Sequence, residues 1–258
     1  FAFEHQSYVE SILALVGFPA SVYAGYLLYD GRASLFTLTR AIAIMLFIYL
    51  PFETIPAFTV GGVAVPEPRR ILIEVVATQT GALIDLIGYA PEAVTSREGY
   101  EAAYSWTLDD GHTVIIHIVL ACTGLGSMAI FGGLVAAVEA PLARKLRALA
   151  VSIPLIYVLN IFRTTFISVV SGNQYMHWYP DLVMTMFGAT DPYRVSFLIS
   201  DRIMSQLLAV VALIAITFLA VRELPELAVI LEDVLYLITG EEHDLTEALD
   251  LPREPTNR

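Results

Sequence analysis

The chain has 258 residues, of which 57% are hydrophobic and only 16% are charged. This composition excludes an ordinary soluble domain and indicates an integral membrane protein. The 26 acidic and 14 basic residues give a formal net charge of −12, which excludes nucleic acid as a partner because phosphate binding needs clustered Lys and Arg.

Cysteine and lysine occur once each. The single cysteine excludes an internal disulfide and a multi-cysteine metal site, so we expect neither a metal nor another cofactor. An acidic composition with Lys145 as its sole lysine is common in proteins of salt-loving archaea. We therefore expect a halophilic archaeal source.

Five stretches are apolar and long enough to cross a membrane, since about 20 apolar residues span the hydrocarbon core. They are Tyr8–Tyr29, Ala41–Val60, Thr113–Val138, Ala148–Val170 and Ile203–Val221. The sequence therefore predicts an all-α fold, a polytopic transmembrane helix bundle of about five spans.

The placement of Arg and Lys predicts the orientation of these spans. The short connections Asp30–Arg40 and Glu139–Arg147 are basic and should face the cytoplasm. The segment Gly61–His112, which is acidic on balance, and the segment Ser171–Asp201 should then lie on the outer side. This alternation fits five spans and leaves the end of the chain inside the cell.

Two further helices are predicted outside the spans. Ile71–Tyr89 is apolar apart from a narrow polar stripe at helical spacing, which favours an amphipathic helix in the outer interface. A sixth span is the alternative for this segment. Pro225–Thr239 has the pattern of a surface helix. We therefore divide the chain into a transmembrane domain, 1–224, and a cytoplasmic surface helix with an acidic tail, 225–258.

Three side chains fall at a common depth when residues are counted from the cytoplasmic anchors. Cys122 lies about 5 Å inside the outer boundary of its span and Arg163 about 6 Å inside, by helical rise. Arg202 opens the last span. A lone cysteine is usually inert packing, and a terminal arginine usually reaches the headgroups. Burying Arg163, however, costs about 2.5–3.5 kcal/mol, which indicates a function in return.

The functional interpretation joins these three side chains in one site. Two guanidinium groups near Cys122 would favour the thiolate, which is the nucleophilic form, and would then stabilise the oxyanion of an attacked carbonyl. Arginine is a poor general base because it is permanently charged. Either the thiolate is preformed by the electrostatics, or another residue takes the proton.

Other polar side chains could support that site. The outer half holds three histidines, His112, His117 and His177. His177 in the loop is better placed to accept a proton, because His117 would turn to another face of its helix. Asn160, one turn before Arg163, could form an interhelical hydrogen bond, and Asp201 could orient Arg202.

Three motifs in this order resemble the exosortase and archaeosortase family: Ala121-Cys122-Thr123-Gly124, Asn160-x-x-Arg163, and Arg202 at the opening of the following span. The resemblance covers roughly residues 112–206. Bacterial exosortases usually have histidine at the third position, so the arginine is similar to the archaeosortase A subgroup. By this resemblance Cys122 would be the nucleophile, Arg163 would stabilise the thiolate and the oxyanion, and Arg202 would be the third catalytic position.

The resemblance implies a membrane cysteine transpeptidase or peptidase that acts at the outer face of the cell membrane. Its protein substrates, such as S-layer glycoproteins, would carry a C-terminal sorting signal with a Pro-Gly-Phe motif, a transmembrane helix and a basic cluster. Cys122 would attack a peptide bond near the motif, release the tail helix and pass the thioester to a lipid amine. The alternatives are a hydrolytic intramembrane cysteine protease and a non-catalytic transporter or scaffold.

Overall fold

The structure is a computed structural model that describes residues 8–29, 35–242 and 244–245. Most of these residues are helical: α1 (Tyr8–Tyr29), α2 (Leu35–Thr54), α3 (Pro68–Leu86), α4 (Leu125–Ala137), α5 (Leu142–Gly172), α6 (Pro180–Phe187), α7 (Val195–Phe197), α8 (Gln206–Glu223) and α9 (Leu227–Thr239). Short 3-10 helices cover Leu120–Thr123 and Pro192–Arg194, and a π-helix covers Leu198–Ser205. The strands are β1 (Phe58–Val60), β2 (Val63–Val65), β3 (Glu92–Val94), β4 (Ala103–Thr107) and β5 (Thr113–His117).

The prediction of a mostly helical, polytopic membrane protein is confirmed. Within the described residues, three helical runs are long and apolar enough to cross a membrane: Leu35–Thr54, Leu142–Gly172 and Pro192–Glu223. In addition, α1 begins and ends at the predicted residues. The count of five spans, their orientation and the division at residue 224 stay predictions.

One predicted span is wrong as a continuous helix, and the predicted span Ala41–Val60 is wrong in its bounds, because α2 covers Leu35–Thr54 and Phe58–Val60 is strand β1. The stretch Thr113–Val138 begins as strand β5, continues as a 3-10 turn and becomes helical only in α4, which has 13 residues. The run of β-branched residues from Thr113 to Ile116 suits a strand, and Gly124 separates the turn from α4. Hydropathy alone does not separate an apolar strand from an apolar helix, which explains the error.

The strands form two antiparallel sheets between α2 and α4 that the sequence analysis did not predict. β1 and β2 make a hairpin whose turn residues, Gly61 and Gly62, have φ values of +57° and +84°. The second sheet has the order β3-β4-β5. Alternation along β4 turns Tyr104 and Trp106 into the core, where both are buried.

The predicted amphipathic helix is present as α3, and its buried face packs within the core cluster that also holds residues of β4 and the Cys122 turn. The Tyr104 hydroxyl donates a short hydrogen bond to the Ala77 carbonyl. Burial raises the pKa of Tyr104 to about 12, so the hydroxyl keeps its proton and stays a donor. These contacts fix α3 against the sheet that leads to the cysteine.

The chain divides into two compact units. One holds residues up to Ile48, Ser127–Leu155 and residues from Ile214 onward, and the other holds Tyr49–Gly126 and Ile156–Leu213. All the sequence-predicted site residues belong to the second unit. The helix predicted over Pro225–Thr239 is present as α9 in the first unit, and its position at the membrane surface stays a prediction. The acidic tail that follows it lies largely outside the described residues.

Within the first unit, α4 packs closely on α2. A Cβ on Gly133 would collide with the carbonyl oxygen of Ala41 and would approach the Cβ of Met45 at 3.0 Å. The start of α5 is held in the same unit, where Arg144 pairs with Glu226 at 3.0 Å. The close approach of α2 and α4 therefore depends on the missing side chain at residue 133.

We expect Gly133→Ala to lower the melting temperature by about 2–6 °C, because overpacking costs about 1–3 kcal/mol. Gly126→Ala in the same helix is the matched control, since a Cβ there meets no other described heavy atom within 4 Å. The control should melt at or above the wild-type temperature, because alanine favours the helix. Thermal unfolding in detergent micelles measures both variants, and equal melting temperatures would contradict the packing argument.

Candidate active site

Cys122 is presented by a tight turn between β5 and α4. Val119 is extended, with φ −118° and ψ 171°, and the 3-10 turn brings the Cys122 N–H to the Val119 carbonyl at 2.8 Å. The Thr123 hydroxyl donates to the Leu120 carbonyl at 2.7 Å and accepts from the Leu125 N–H at 3.3 Å. Both sides of the turn are therefore tied to one threonine side chain.

Gly124 closes the turn in the left-handed region, with φ +76°. A Cβ at this position would lie 3.1 Å from the Cβ of Asn160, so the glycine also permits close approach to α5. These contacts explain the threonine and the glycine of the Cys-Thr-Gly sequence. Threonine caps the turn, and glycine provides its backbone conformation.

Helix α5 holds the backbone of Cys122 with two side chains. The Asn160 amide donates a short hydrogen bond to the Cys122 carbonyl, and the Thr164 hydroxyl lies 3.2 Å from the same oxygen. The single proton of the Thr164 hydroxyl is shared between this oxygen and the Asn160 carbonyl, which lies at 2.9 Å. These residues are four apart and share one face of the helix. Thr164 was missed by the sequence analysis, although its spacing from Asn160 is a signal that could have found it.

The two arginines meet at one carboxylate. Arg163 Nη2 lies 2.7 Å from Asp201 Oδ1, and Arg202 Nε lies 3.5 Å from Asp201 Oδ2. Their side chains are 16–30% exposed, so these ion pairs are partly screened by solvent. The pairing of Asp201 with Arg163 joins residues 38 apart in sequence, and no local pattern indicates it.

Asp201 and Arg202 lie on the π-helix Leu198–Ser205, which leads into α8. π-helical turns are rare and occur frequently at functional sites. The extra residue in such a turn changes which side chains face a neighbouring helix. In this chain the π-helix presents a carboxylate and a guanidinium to the same cluster.

The charges of this cluster act on the thiol. Cys122 lies in the 3-10 turn, outside the candidate spanning helices, and packs against the core cluster. Burial raises the pKa of the Cys122 thiol; Arg163 opposes this rise, Asp201 adds to it, and Arg202 opposes it. Because the net pKa is raised, the neutral thiol dominates near neutral pH. The geometry therefore does not favour a thiolate preformed by the two cations.

The structure gives the three histidines other surroundings. His177 is exposed in the turn after α5, and its Nδ1 lies 3.3 Å from Gln174 Oε1. The ring of His112 stacks on the ring of Tyr193, with 3.6 Å between the two ring centroids. Burial and the charge of Arg97 lower the pKa of His117 in β5. In the described part of the chain, the charged groups that act on Cys122 include no histidine.

The described residues contain no cluster of three or more His, Cys, Asp or Glu side chains suited to a metal ion.

The chain is similar to known membrane proteins over most of its length. The family model for the transmembrane exosortase matches residues 1–192. Archaeosortase A of Haloferax volcanii is 55% identical over 251 residues, which cover 97% of this chain and 82% of that protein. Archaeosortase A of Natronomonas pharaonis is 43% identical over 251 residues, which cover 92% of this chain and 74% of that protein. No solved structure matches the chain.

The single thiol makes alkylation a direct measurement of the Cys122 environment. We expect the labelling rate to rise with pH, with a midpoint above that of a free thiol, because burial and Asp201 disfavour the thiolate. Asp201→Asn should lower the midpoint. Arg163→Gln should raise it further, because it removes a cation and leaves Asp201 less neutralised.

Maleimide labelling in detergent over a pH range of about 7 to 10 measures these midpoints. Arg194→Gln is the control, because Arg194 is an exposed arginine that should leave the midpoint unchanged. Shifts of the same sign for Asp201→Asn and Arg163→Gln would show that their charges do not reach the thiol.

Proposed function

This chain belongs to the transmembrane exosortase family, and from that premise we propose the reaction that the site around Cys122 performs. The protein is a membrane enzyme of archaeosortase type, a sorting transpeptidase that processes other proteins. Cys122 is the nucleophile of the proposed reaction, and Arg163 and Arg202 stabilise the negative charge that develops. The supporting observation is the Arg163–Asp201–Arg202 cluster, whose charges act on the sole thiol of the chain.

The proposed reaction starts from the neutral thiol. The Cys122 sulfur attacks the carbonyl carbon of the scissile amide as the thiol proton leaves, and the carbon–nitrogen bond then breaks. The proton ends on the leaving nitrogen, so the released tail carries a free amine. The shortened protein remains attached to Cys122 as a thioester.

Arg163 is suited to the developing oxyanion. Asp201 holds its Nη2 at 2.7 Å, which orients the guanidinium. Its Nε is buried and has no hydrogen-bond partner in the part of the chain that the structure describes. An unpaired buried donor costs about 1–3 kcal/mol, and an oxyanion that accepts from it would offset this cost in the transition state. A donor that is free in the resting site and bonded in the transition state accelerates the chemical step.

The proposed substrates are surface proteins, such as S-layer glycoproteins, whose C-terminal signal carries a Pro-Gly-Phe motif, an apolar helix and a basic cluster. A lipid amine then attacks the thioester carbonyl, forms an amide with the shortened protein and returns the proton to the sulfur. The resemblance of the Cys122, Arg163 and Arg202 motifs supports this substrate class. Membrane location supports a lipid acceptor, because lipid amines are concentrated at the membrane surface.

Cys122→Ala and Cys122→Ser should each abolish processing of a membrane reporter that ends in this signal. The expected loss is at least about 10³-fold, because alanine has no nucleophile and the serine hydroxyl is a much weaker nucleophile than the sulfur that forms the thioester. Gel mobility measures cleavage, and mass spectrometry of the product C-terminus identifies what was added. Melting temperatures near that of the wild type would show that the variants are folded.

Each outcome of this experiment has a separate meaning. Processing by Cys122→Ala at the wild-type rate would remove the thiol from the mechanism. A cleaved product that carries lipid mass supports transpeptidation. A cleaved product with a free carboxylate shows that water resolves the thioester, which would make the protein a hydrolytic cysteine protease.

Arg163→Lys should reduce processing by about 10²-fold or more, although the positive charge is kept. Lysine lacks the planar fork that can bind Asp201 and an oxyanion at once. Arg194→Lys is the matched control, because Arg194 is exposed and should tolerate the change. Steady-state processing rates in micelles measure both, and a wild-type rate in Arg163→Lys would exclude the proposed role.

A further inference from the structure

Strand β5 lies at the edge of its sheet. Two hydrogen bonds just outside its ends show which of its residues bond to β4. The Leu108 N–H donates to the His112 carbonyl at 2.9 Å, and the Ile118 N–H donates to the Ala102 carbonyl at 2.8 Å. In an antiparallel ladder, residues that bond the partner strand alternate with residues that point away from it. The even-numbered residues of β5 therefore bond β4.

The odd-numbered residues of β5 direct their backbone N–H and C=O groups to the open side. These residues are Thr113, Ile115 and His117, and no backbone partner is seen for them among the described residues. On the other side of the sheet, the corresponding groups of β4 are paired with β3. The sheet therefore ends at β5 with three pairs of backbone groups facing outward.

This edge lacks the sequence features that commonly protect an edge strand. Edge strands commonly carry lysine, proline or a bulge that prevents pairing with another chain. The sequence Thr-Val-Ile-Ile-His has no lysine or proline, and its register with β4 is regular through all five pairs. Thr113 is exposed, Ile115 is 48% exposed and His117 is half-buried, so the edge is accessible at Thr113 and Ile115. Its β-branched residues favour an extended partner.

The open edge runs directly toward the thiol. Pairing with β4 continues to Ile118, Val119 remains extended, and the next turn returns the Cys122 N–H to the Val119 carbonyl. Val119 is 37% exposed. A polypeptide paired with β5 would therefore pass Val119 and arrive at the turn that carries Cys122.

We propose that the free edge of β5 binds the substrate polypeptide as an added strand and thereby places the scissile bond at Cys122. This inference rests on the proposed function. A substrate segment that is cleaved must be extended, so it loses the internal hydrogen bonds of a helix. The outward groups of β5 replace those bonds with main-chain pairing, which gives affinity with little dependence on side chains. Three odd-numbered residues on β5 match alternate residues of an extended segment of about five residues.

The start of the strand limits where the substrate can lie. The His112 ring stacks on Tyr193, and the Tyr193 hydroxyl donates to Asp110 at 2.6 Å. The side-chain interaction with Tyr193 lowers the pKa of Asp110, so this contact persists at neutral pH. The turn before β5 is thus already occupied, and the added strand is confined to the part of the edge that leads to Cys122.

Ile115→Pro tests the pairing, because it removes one outward N–H and leaves the ladder with β4 intact. Ile115→Ala is the matched control, since it removes the side chain and keeps the N–H. The probe is a solubilised reporter with the Pro-Gly-Phe motif, an apolar helix and a basic cluster. We expect KM to rise about threefold to tenfold in Ile115→Pro relative to Ile115→Ala, the loss expected for one hydrogen bond. Equal KM values for the two variants would overturn the inference.

Wild-type enzyme with N-methylated reporter peptides provides the second measurement, which needs no change in the protein. Methylation at successive residues near the motif should raise KM at alternate positions, because only every second residue faces β5. A uniform effect, or none, would overturn the inference. If Ile115→Pro unfolds the protein or changes the labelling rate of Cys122, the pattern obtained with the N-methylated peptides decides whether the inference holds.

The two proposals fail in different ways. If Cys122→Ala is inactive while the methylation pattern is flat, the strand inference is wrong and the cysteine mechanism stands. If Cys122→Ala processes the reporter normally, the proposed function itself is wrong.

Discussion

The site depends on the way one turn of α5 satisfies the polar groups that it buries. Asn160 and Thr164 both bind the carbonyl of Cys122, and Arg163, on the intervening stretch, reaches Asp201. A buried polar group without a partner is costly, so each of these side chains is restricted to a few arrangements. As a result α5 couples the cysteine turn to the π-helix. A small movement of this helical turn would disturb the backbone of the thiol residue and the guanidinium together.

The balance of charges around the thiol decides its resting state. Two guanidinium groups and one carboxylate leave one net positive charge, but these side chains are partly exposed and their attraction for a thiolate is screened. Burial therefore dominates and keeps the thiol neutral. Neutral thiols react slowly with alkylating and oxidising agents, so the same balance protects the chain's sole cysteine before a substrate binds. In the proposed reaction, loss of the thiol proton is then a step of the chemistry rather than a property of the resting site.

The sequence was sufficient for the parts of the structure that follow from local pattern. Apolar length predicts α1 to the residue, and the polar stripe of Ile71–Tyr89 predicts the helix α3. The motifs around Cys122 and Asn160 point to residues that the structure brings together. By contrast, the strands between 58 and 117 depend on pairing partners, and apolar content alone did not separate β5 from a span. The ion pair of Arg163 with Asp201 joins distant residues, and its geometry depends on a π-turn for which the sequence analysis had no signal.

Residues Thr113–His117 form strand β5 instead of the predicted spanning helix, and this difference affects how a polypeptide can approach Cys122. A helix bonds its own backbone and presents no main-chain groups to another polypeptide, whereas a strand at a sheet edge presents half of its groups outward. Near a membrane such an edge is stable only where water, protein or a ligand meets it. A nucleophile that follows an edge strand can therefore be approached by extended backbone, which is the conformation that cleavage requires. A nucleophile in the middle of a spanning helix would lack that approach, so the proposed reaction at Cys122 depends on the departure of this turn from a regular span.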